Sequence, residues 1–403
     1  MSDREYDLAV FGASGFVGRL VARRLAEART ELRIALAGRS RERLVAVADD
    51  LGVDWPVVVT DSGDPAALAD LAGSTRVVLT TVGPYARHGL PLVLACARAG
   101  TAYGDLTGEA LFVRESIDTA DTLARTSDAR IVHSCGFDSV PSDLGVQMVA
   151  ERAAADGAGE LSEVLLMVVA AAGGVSGGTV DSLRGQVDSV RRDPALARRL
   201  ADPYLLSPDR DAEPDLGPQP DAFLARRLED GTWTAPFVMA PFNTRVVRRS
   251  NALLGHAWGR ELRYAEAVRT GRAPWSPVLA GGVALGTAAV AAGLRTPVVR
   301  PLLDRILPDP GEGPSPQAQQ AGSFRLELRA VTTTGARYTG TVAAPGDPGY
   351  AATSVMLAQS GLSLAQDDLP DRSGVLTPAV AMGSALTERL RAAGFTFTVQ
   401  PTG

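Results

Sequence analysis

A glycine-rich turn near the start of the chain has the residue types and spacing of a phosphate-binding loop. The turn, Gly12-Ala-Ser-Gly15-Phe-Val-Gly18, follows an apolar run at 8–11 and precedes a helix-like segment at 19–27. This order suits a dinucleotide, because the glycines let the pyrophosphate approach the amides at the start of the helix. The spacing is GxxGxxG rather than GxGxxG, and a purely structural turn is the alternative. We expect these residues to bind the cofactor: Gly12, Ala13, Ser14, Gly15, Phe16 and Val17.

The end of the second predicted strand indicates which dinucleotide binds. The strand at 33–38 runs into Arg39 and Ser40, where an NAD-preferring site usually has Asp or Glu for the ribose hydroxyls. A planar guanidinium suits a 2′-phosphate instead. We therefore expect NADP(H) rather than NAD(H), bound through Arg39 and Ser40. A solvated arginine at a helix start is the alternative for Arg39.

Three later loops, at 82–89, 105–109 and 135–143, also follow predicted strands. In the first, we expect Gly83 and Pro84 to contact the cofactor, and Tyr85 is a candidate catalytic proton donor. Stacking on the cofactor or sealing the turn is the alternative role of Tyr85. In the third, Asp138 is a candidate catalytic group that positions a neighbouring group or takes a proton, although capping of the following helix is favoured.

A histidine lies just before the third loop, and a cysteine begins it. His133 and Cys135 lie two residues apart on a predicted strand, so their side chains could point the same way. A small buried cysteine beside the cofactor is favoured over a nucleophile.

Composition limits the classes of function. The chain has 403 residues, 45% of them hydrophobic, and a net charge of −6, which predicts a soluble globular protein without a nucleic-acid partner. All 40 basic residues are arginine, which excludes a lysine Schiff base and a Walker A site. Cys96 and Cys135 lie far apart, and the three histidines are scattered, so we expect no metal site and no disulfide framework. We expect a cytoplasmic protein, since the first strand starts too early for a cleavable signal peptide.

Strand-like and helix-like segments alternate through about residue 145, which predicts a Rossmann-type, doubly wound parallel sheet in residues 1–145. Its ligands should lie at the carboxyl ends of the strands. The pattern then changes, and we expect residues 146–348 to form a second, α+β domain for substrate binding or dimerisation. This domain should contain a strand at 163–170, an amphipathic helix at 178–192 and a β-hairpin around 333–335. We expect the C-terminal segment, 349–403, with its strand at 395–399, to pack back on the first domain.

The segment 278–294 contains no charged residue and is rich in Ala and Gly. A buried or interface helix is favoured, association with a membrane surface comes next, and a membrane span is the least favoured alternative. Peripheral association would place the protein at the inner face of the plasma membrane. A homodimer is a further arrangement that we consider.

The strand-end motifs VGPY at 82–85, DLTGE at 105–109 and GFDSVPSD at 136–143 occur together. This combination resembles the saccharopine dehydrogenase-like oxidoreductases, and the whole chain is similar to the trans-acting enoyl reductases of actinobacterial lipid synthesis. The resemblance covers nearly the full length, including the segments at 241–254, 346–350 and 374–382.

The resemblance implies a Rossmann domain that binds NADP(H) and a second domain that covers the active cleft. It implies reduction of an enoyl thioester in complex lipid biosynthesis, in trans for a polyketide synthase that lacks its own enoyl reductase. The implied substrate is an acyl-thioester or lipid intermediate on a carrier. Arg245, Arg248 and Arg249 could grip a phosphopantetheine phosphate or an acidic carrier protein, although a solvated face is favoured.

Two other functions stay open at this point. One is reduction of an imine or amino acid, as in saccharopine reductases, which needs a polar cleft with arginines facing the substrate carboxylates. The other is a non-catalytic, membrane- or lipid-associated protein that retains the cofactor fold, an idea that depends on 278–294.

Overall fold

The computed structural model describes residues 4–172, 177–217, 219, 224–296, 299–303 and 315–402. In these residues the chain forms two seven-stranded sheets. The first sheet is parallel throughout, whereas the second is mixed. The predicted doubly wound sheet with a second α+β domain is therefore confirmed.

The first sheet holds the predicted Rossmann strands in the order β13-β6-β5-β4-β1-β2-β3. Its strands are β1 (Tyr6–Phe11), β2 (Ile34–Gly38), β3 (Val57–Val59), β4 (Thr75–Thr80), β5 (Ala102–Gly104), β6 (Arg130–Val132) and β13 (Gly374–Leu376). The helices between them are α1 (Phe16–Glu27), α2 (Arg41–Leu51), α3 (Pro65–Ser74), α4 (Tyr85–Ala99) and α5 (Ala110–Ser127). All five residues of β2 are buried, as expected for a parallel strand covered on both faces.

Polar caps and glycines fix several of these helix ends. The Ser40 side chain accepts the Arg43 N–H at the start of α2, and Asp64 caps α3 by accepting from Ala66 and Ala67. Gly52 and Gly100 end α2 and α4 in the left-handed conformation. The connections to the carboxyl ends of the strands are therefore set by local sequence.

The second sheet has the order β14-β12-β11-β7-β10-β9-β8. Its strands are β7 (Leu161–Ala172), β8 (Arg226–Arg227), β9 (Trp233–Pro236), β10 (Arg263–Gly271), β11 (Ser323–Thr332), β12 (Arg337–Pro345) and β14 (Thr396–Thr402). Its accompanying helices are α6 (Val140–Ala155), α7 (Gly177–Arg192), α8 (Ala195–Ala201), α9 (Ala240–Leu253), α10 (Ser276–Arg295), α11 (Arg300–Leu303) and α12 (Pro316–Ala321). The predicted strand at 163–170, helix at 178–192 and hairpin around 333–335 all form, the last as the antiparallel pair β11–β12.

The C-terminal segment serves both sheets, which corrects the expectation that all of it returns to the first domain. A π-helical turn (Pro348–Ala352) leads into α13 (Thr353–Gln366), which packs on α1 and β4, and β13 pairs with β6. After α14 (Pro378–Ala381) and α15 (Gly383–Ala392), however, β14 pairs antiparallel with β12 of the second sheet. The alternation of apolar residues in β14 fits either sheet, and the neighbouring edge of β12 decides between them.

Helix α10 contains the uncharged segment and is mostly exposed in the single chain, so a helix buried within the chain is wrong and an interface helix stays a prediction. Its buried residues are confined to its two ends: Ser276, Ala280, Gly293 and Leu294. By length and composition alone, α10 could cross a membrane.

Candidate active site

A cavity of about 1500 Å³ opens at the carboxyl edge of the first sheet. The glycine turn, the ends of β2 and β4 and the loops after β5 and β6 form one side. Helices α7, α9 and α10 and the loop between β9 and α9 form the other side. The cavity therefore lies where a Rossmann sheet binds its ligands, and the second domain covers it.

The glycine turn requires residues without a side chain, because neighbouring atoms of the chain pack closely against it. Gly12 has φ +88°, and a Cβ there would lie 2.8 Å from Thr81 Oγ1. A Cβ on Gly18 would lie 2.1 Å from the Gly12 carbonyl oxygen, so only glycine lets α1 pack against the turn. Gly15 is the N-cap of α1 and offers no side-chain cap, which leaves the first amides of the helix available to an anion at the cavity wall.

Most of the predicted phosphate-binding residues line this cavity: Gly12, Ser14, Gly15, Phe16 and Val17. Ala13 does not line it, which corrects its assignment as a contact residue. Its side chain is buried in the core, and its N–H donates to the Ala37 carbonyl. Gly83 and Pro84 lie on the same wall, as predicted.

Arg39 and Ser40 both line the cavity beside Gly38, and Arg43 joins them from the first turn of α2. The Arg39 side chain is exposed and makes no ion pair with a described residue. The Ser40 hydroxyl also accepts the Arg43 N–H at 3.4 Å. Two guanidinium groups at this end of the cavity fit a 2′-phosphate.

The loop after β5 holds the start of α4. The Glu109 carboxylate accepts the Tyr85 N–H and the Ala86 N–H, each at 3.0 Å, and also the Ser182 hydroxyl at 3.2 Å. Burial raises the pKa of this carboxyl group. Glu109 therefore caps α4 from another loop and ties α7 to it, a long-range role that sequence spacing alone does not reveal.

Tyr85 lines the cavity, but its hydroxyl is bonded within the turn, which supports the alternative role of sealing the turn. Its hydroxyl donates to the Thr80 carbonyl at 3.1 Å and accepts the Leu106 N–H at 3.2 Å. Its ring stacks with that of Phe112, with centroids 5.9 Å apart. Burial raises the pKa of Tyr85 well above its ordinary value.

Asp105 organises the ends of β5 and β6. Its fully buried carboxylate accepts the Ser134 and Thr107 N–H groups, and His133 Nδ1 lies 2.7 Å from Asp105 Oδ2. His133 Nε2 in turn lies 2.8 Å from Ser116 Oγ. This Asp–His–Ser chain is buried and outside the cavity lining, so it supports the loops instead of meeting a ligand.

His133 and Cys135 point to opposite sides of the first sheet, which excludes them as a catalytic pair. Ser134 between them has φ +65°, and this left-handed residue breaks the alternation of a strand. Cys135 is buried near Gly104, and its thiol donates a hydrogen bond to the Val132 carbonyl. Burial raises the pKa of this thiol. The expected burial of Cys135 is therefore confirmed, but its side chain does not line the cavity in which the cofactor was expected.

Asp138 is the ionisable group that best fits proton transfer in this cavity. Its half-buried side chain lines the cavity and makes no hydrogen bond with a described residue. The favoured capping role is wrong, because Ser139 is the N-cap of α6 and Asp138 accepts no backbone N–H from that helix. Burial without a compensating partner raises the pKa of Asp138 to about 6. Asp181 of α7 is a further carboxylate on the wall.

The part of the cavity supplied by the second domain is mostly apolar. Its walls come from the loop between β9 and α9, from β10 and from one face of α10: Phe237, Val238, Met239, Val268, Val283, Val290, Ala291 and Leu294. None of these residues was predicted from the sequence to belong to the site. Their apolar character alone does not distinguish a cavity wall from a core.

The arginines of α9 do not form a solvated face, which corrects the favoured expectation, and Arg245 lines the cavity. Arg245 Nε donates to the Asp202 carbonyl at 3.1 Å, Arg248 Nη1 donates to the Pro203 carbonyl at 3.2 Å, and Arg249 donates to the Leu206 and Val375 carbonyls. All three side chains are buried. They hold the chain after α8 and the edge strand β13 against α9.

The comparisons with known proteins agree with this geometry. The model of the saccharopine dehydrogenase NADP-binding domain matches residues 8–131. A protein of Mycobacterium tuberculosis H37Rv, provisionally named a trans-acting enoyl reductase, is 51% identical over 97% of this chain and 96% of its own length. The trans-acting enoyl reductase of Mycobacterium ulcerans is 48% identical over 98% of this chain and 97% of its own length.

The fold has a solved counterpart. Saccharopine dehydrogenase (L-Glu forming) from Saccharomyces cerevisiae superposes with a TM-score of 0.57 at 12% identity, covering 99% of this chain and 100% of that chain. This likeness concerns the fold alone. With the NADP-binding domain and the full-length relatives, the chain belongs to the trans-acting enoyl reductase family and is an NADP-dependent oxidoreductase.

Proposed function

We propose that this protein uses NADPH to reduce the double bond of an enoyl thioester on a lipid intermediate, in trans for a polyketide synthase that lacks its own enoyl reductase. The observation that carries the proposal is the single cavity in which the glycine turn, Asp138 and an apolar second-domain wall meet. The names of the relatives supply the reaction class.

The residues on the first-domain wall fit NADP(H). The amides of Gly15, Phe16 and Val17 would hold the pyrophosphate, and Arg39 with Arg43 would hold the 2′-phosphate. When bound, NADPH supplies the hydride that is added to the β-carbon of the substrate.

A residue of the chain must then provide a proton for the α-carbon. Addition at the β-carbon leaves an enolate, and a proton must reach the α-carbon to complete the saturated thioester. A carboxyl group with a pKa near 6 holds a proton in part of the molecules at neutral pH and can release it. Asp138 is the group we propose for this transfer.

The apolar wall favours an acyl chain over an amino acid. A substrate with carboxylates, as in imine reduction, would require cations facing it. Of the two second-domain arginines in the cavity lining, Arg245 is bonded to backbone carbonyls, and Arg295 lies at the exposed end of α10. The cavity also exceeds the ~300–1000 Å³ of ordinary ligand pockets. A dinucleotide and a long acyl chain together would use such a volume, and the thioester end would be presented on a carrier.

The test is NADPH oxidation by the purified full-length protein with enoyl thioesters of short and long chains. In parallel, a 2-oxo acid with an amine tests imine reduction. Oxidation with the enoyl thioesters alone, more efficient for longer chains, supports the proposal. Oxidation with the oxo acid and amine alone would establish the imine reaction instead. NADPH binding without turnover of either substrate would favour the non-catalytic alternative.

A further inference from the structure

We propose that the outer face of α10 docks on an anionic membrane surface. This outer face consists of Val278, Gly282, Leu285 and Ala289, which follow one another at intervals of three or four residues. Val278 is 76% exposed and Leu285 is 73% exposed, unusually high values for large apolar side chains on a helix of a globular domain. Trp275, at the N-cap, is 68% exposed.

The opposite face of the same helix lines the cavity. Val283, Thr287, Val290 and Leu294 repeat every three or four residues and belong to the cavity wall. Helix α10 is therefore apolar on two sides, with one side toward the proposed acyl site and the other toward the surroundings. A helix that is apolar all round requires an apolar environment on both faces.

The charges near α10 favour a lipid surface as the occupant of the outer face. From Ala267 to Leu303 the chain carries Arg269, Arg272, Arg295 and Arg300 and no acidic residue, although the whole chain has a net charge of −6. Three of these arginines pair with carboxylates from elsewhere in the chain: Arg269 with Glu327, Arg272 with Asp230 and Arg300 with Asp188. Asp230 is shared with Arg329, and Arg295 is exposed and has no ion pair among the described residues, so this group keeps an excess of positive charge. Arg272 and Arg295 flank the uncharged segment at its two ends. Cations at the ends of an apolar face, with an exposed tryptophan, are the pattern of helices that lie in the membrane interface.

The two faces together indicate a route for the substrate. A helix that lies in the headgroup region with its inner face on the cavity would let an acyl chain pass from lipid to the active site without crossing water. This route depends on the proposed enoyl reductase function, but docking on the membrane does not.

Flotation of the full-length protein with vesicles tests the docking, since it needs neither substrate nor turnover. One set of vesicles contains phosphatidylcholine alone, and the other also contains phosphatidylglycerol. We expect the protein to float with the anionic vesicles, less so at high salt, and the double variant Val278→Ser/Leu285→Ser to remain in solution. The matched control is Val45→Ser/Val59→Ser, which changes exposed valines of the first domain and should float like the unchanged protein.

NADPH binding by the double variant shows whether it is folded. Tryptophan fluorescence is a second readout. Subtracting the emission of Trp275→Phe, a variant that keeps Val278 and Leu285, from that of the unchanged protein isolates the emission of Trp275. We expect this emission to shift to the blue with anionic vesicles. The proposal is overturned if the unchanged protein floats with neither vesicle, or if the double variant floats equally well. It is also overturned if the protein is a dimer that the double variant dissociates while neither binds vesicles, because a second copy would then cover the face.

Discussion

At the scale of single residues, the proposal depends on Asp138 as the group that supplies the proton to the α-carbon. Asp138→Asn keeps the shape of the side chain and removes its proton. We expect kcat with an enoyl thioester to fall by ~10²-fold or more, with NADPH affinity unchanged, since general acid catalysis typically contributes that much. Steady-state kinetics and calorimetric titration with NADPH provide the two measurements.

The pH dependence gives a second check on Asp138. The acid form must deliver the proton, and its pKa is raised to about 6, so the rate should fall as the pH rises through that value. The residual rate of Asp138→Asn should lack this step. An unchanged rate in Asp138→Asn, or the same loss in Asp181→Asn alone, would assign the proton to another group.

Arg39 is expected to distinguish the two nicotinamide cofactors. Arg39→Asp removes a charge-assisted contact with the 2′-phosphate, so NADPH binding should weaken by ~1.5–3 kcal/mol and NADH binding much less. Calorimetric titration of each cofactor measures this. Arg41→Asp is the matched control, because Arg41 lies two residues away at the start of α2, is exposed and does not line the cavity. Equal losses for NADPH and NADH would make Arg39 a structural residue.

Tyr85 is expected to stabilise the fold and not to transfer a proton. Tyr85→Phe leaves the Leu106 N–H and the Thr80 carbonyl without their partner, so unfolding free energy should fall by ~1–3 kcal/mol while kcat changes only a few-fold. Tyr6→Phe, which removes a hydroxyl bonded to exposed Glu5, should have little effect on stability. Thermal unfolding and kinetics together decide. A large loss of kcat with an unchanged unfolding temperature would restore Tyr85 as a catalytic residue.

At the scale of elements, the contact between the glycine turn and α1 sets the cofactor site. In Gly18→Ala the new Cβ would meet the Gly12 carbonyl oxygen at 2.1 Å, so α1 must shift away from the turn. We expect a loss of NADPH affinity of at least tenfold together with lower stability. Gly73→Ala is the control, because a Cβ at that position in α3 meets nothing within 4 Å and should stabilise the helix by up to ~1 kcal/mol. NADPH binding that survives Gly18→Ala unchanged would contradict the proposed phosphate site.

The elements of the first sheet could be predicted from sequence because their signals are local. An apolar run, a glycine turn and an amphipathic helix are each specified within a few residues, as at 8–27. Roles that depend on distant partners could not be predicted in this way. Glu109 caps α4 from another loop, and the α9 arginines donate to carbonyls some forty residues away in the chain, as Arg249 does to Leu206 with a separation of 43.

Asp138 shows the same limit within the candidate site. The sequence Gly-Phe-Asp-Ser-Val-Pro favours a helix cap, and only the conformation of the loop reveals that Ser139 takes the N-cap position while Asp138 faces the cavity. The apolar wall was missed for a related reason. Whether Val283 or Val290 faces a core, a cavity or solvent depends on what packs beside α10.

At the scale of the whole molecule, Asp143 connects α6 with α9 and with α14 of the C-terminal segment. This buried carboxylate of α6 accepts the Ser250 hydroxyl of α9 and the Ala379 N–H of α14 at 2.8 Å. Burial raises its pKa from 3.8 to about 7. A carboxyl group with a raised pKa in the folded state contributes stability below its unfolded pKa and loses it as the pH rises through the folded value.

Asp143→Asn can keep an acceptor for the Ala379 N–H without the charge. We expect the variant to match the unchanged protein near pH 4 and to be more stable above pH 7, by on the order of 1–3 kcal/mol. Denaturant unfolding across this pH range measures the difference. Asp49→Asn, an exposed carboxylate of α2, is the control and should show no such trend. A variant that is less stable at every pH would show that the charge itself holds the junction together.

The position of deuterium in the reduced product tests most directly whether the protein is an enoyl reductase. The purified protein would be given an enoyl thioester with NADPH deuterated at the nicotinamide C4 on either face, and then unlabelled NADPH in D₂O. We predict that deuterium from the cofactor appears at the β-carbon with one of the two labelled faces and that solvent deuterium appears at the α-carbon. An intact double bond, with no label transferred to the thioester from either cofactor, would contradict the enoyl reductase account.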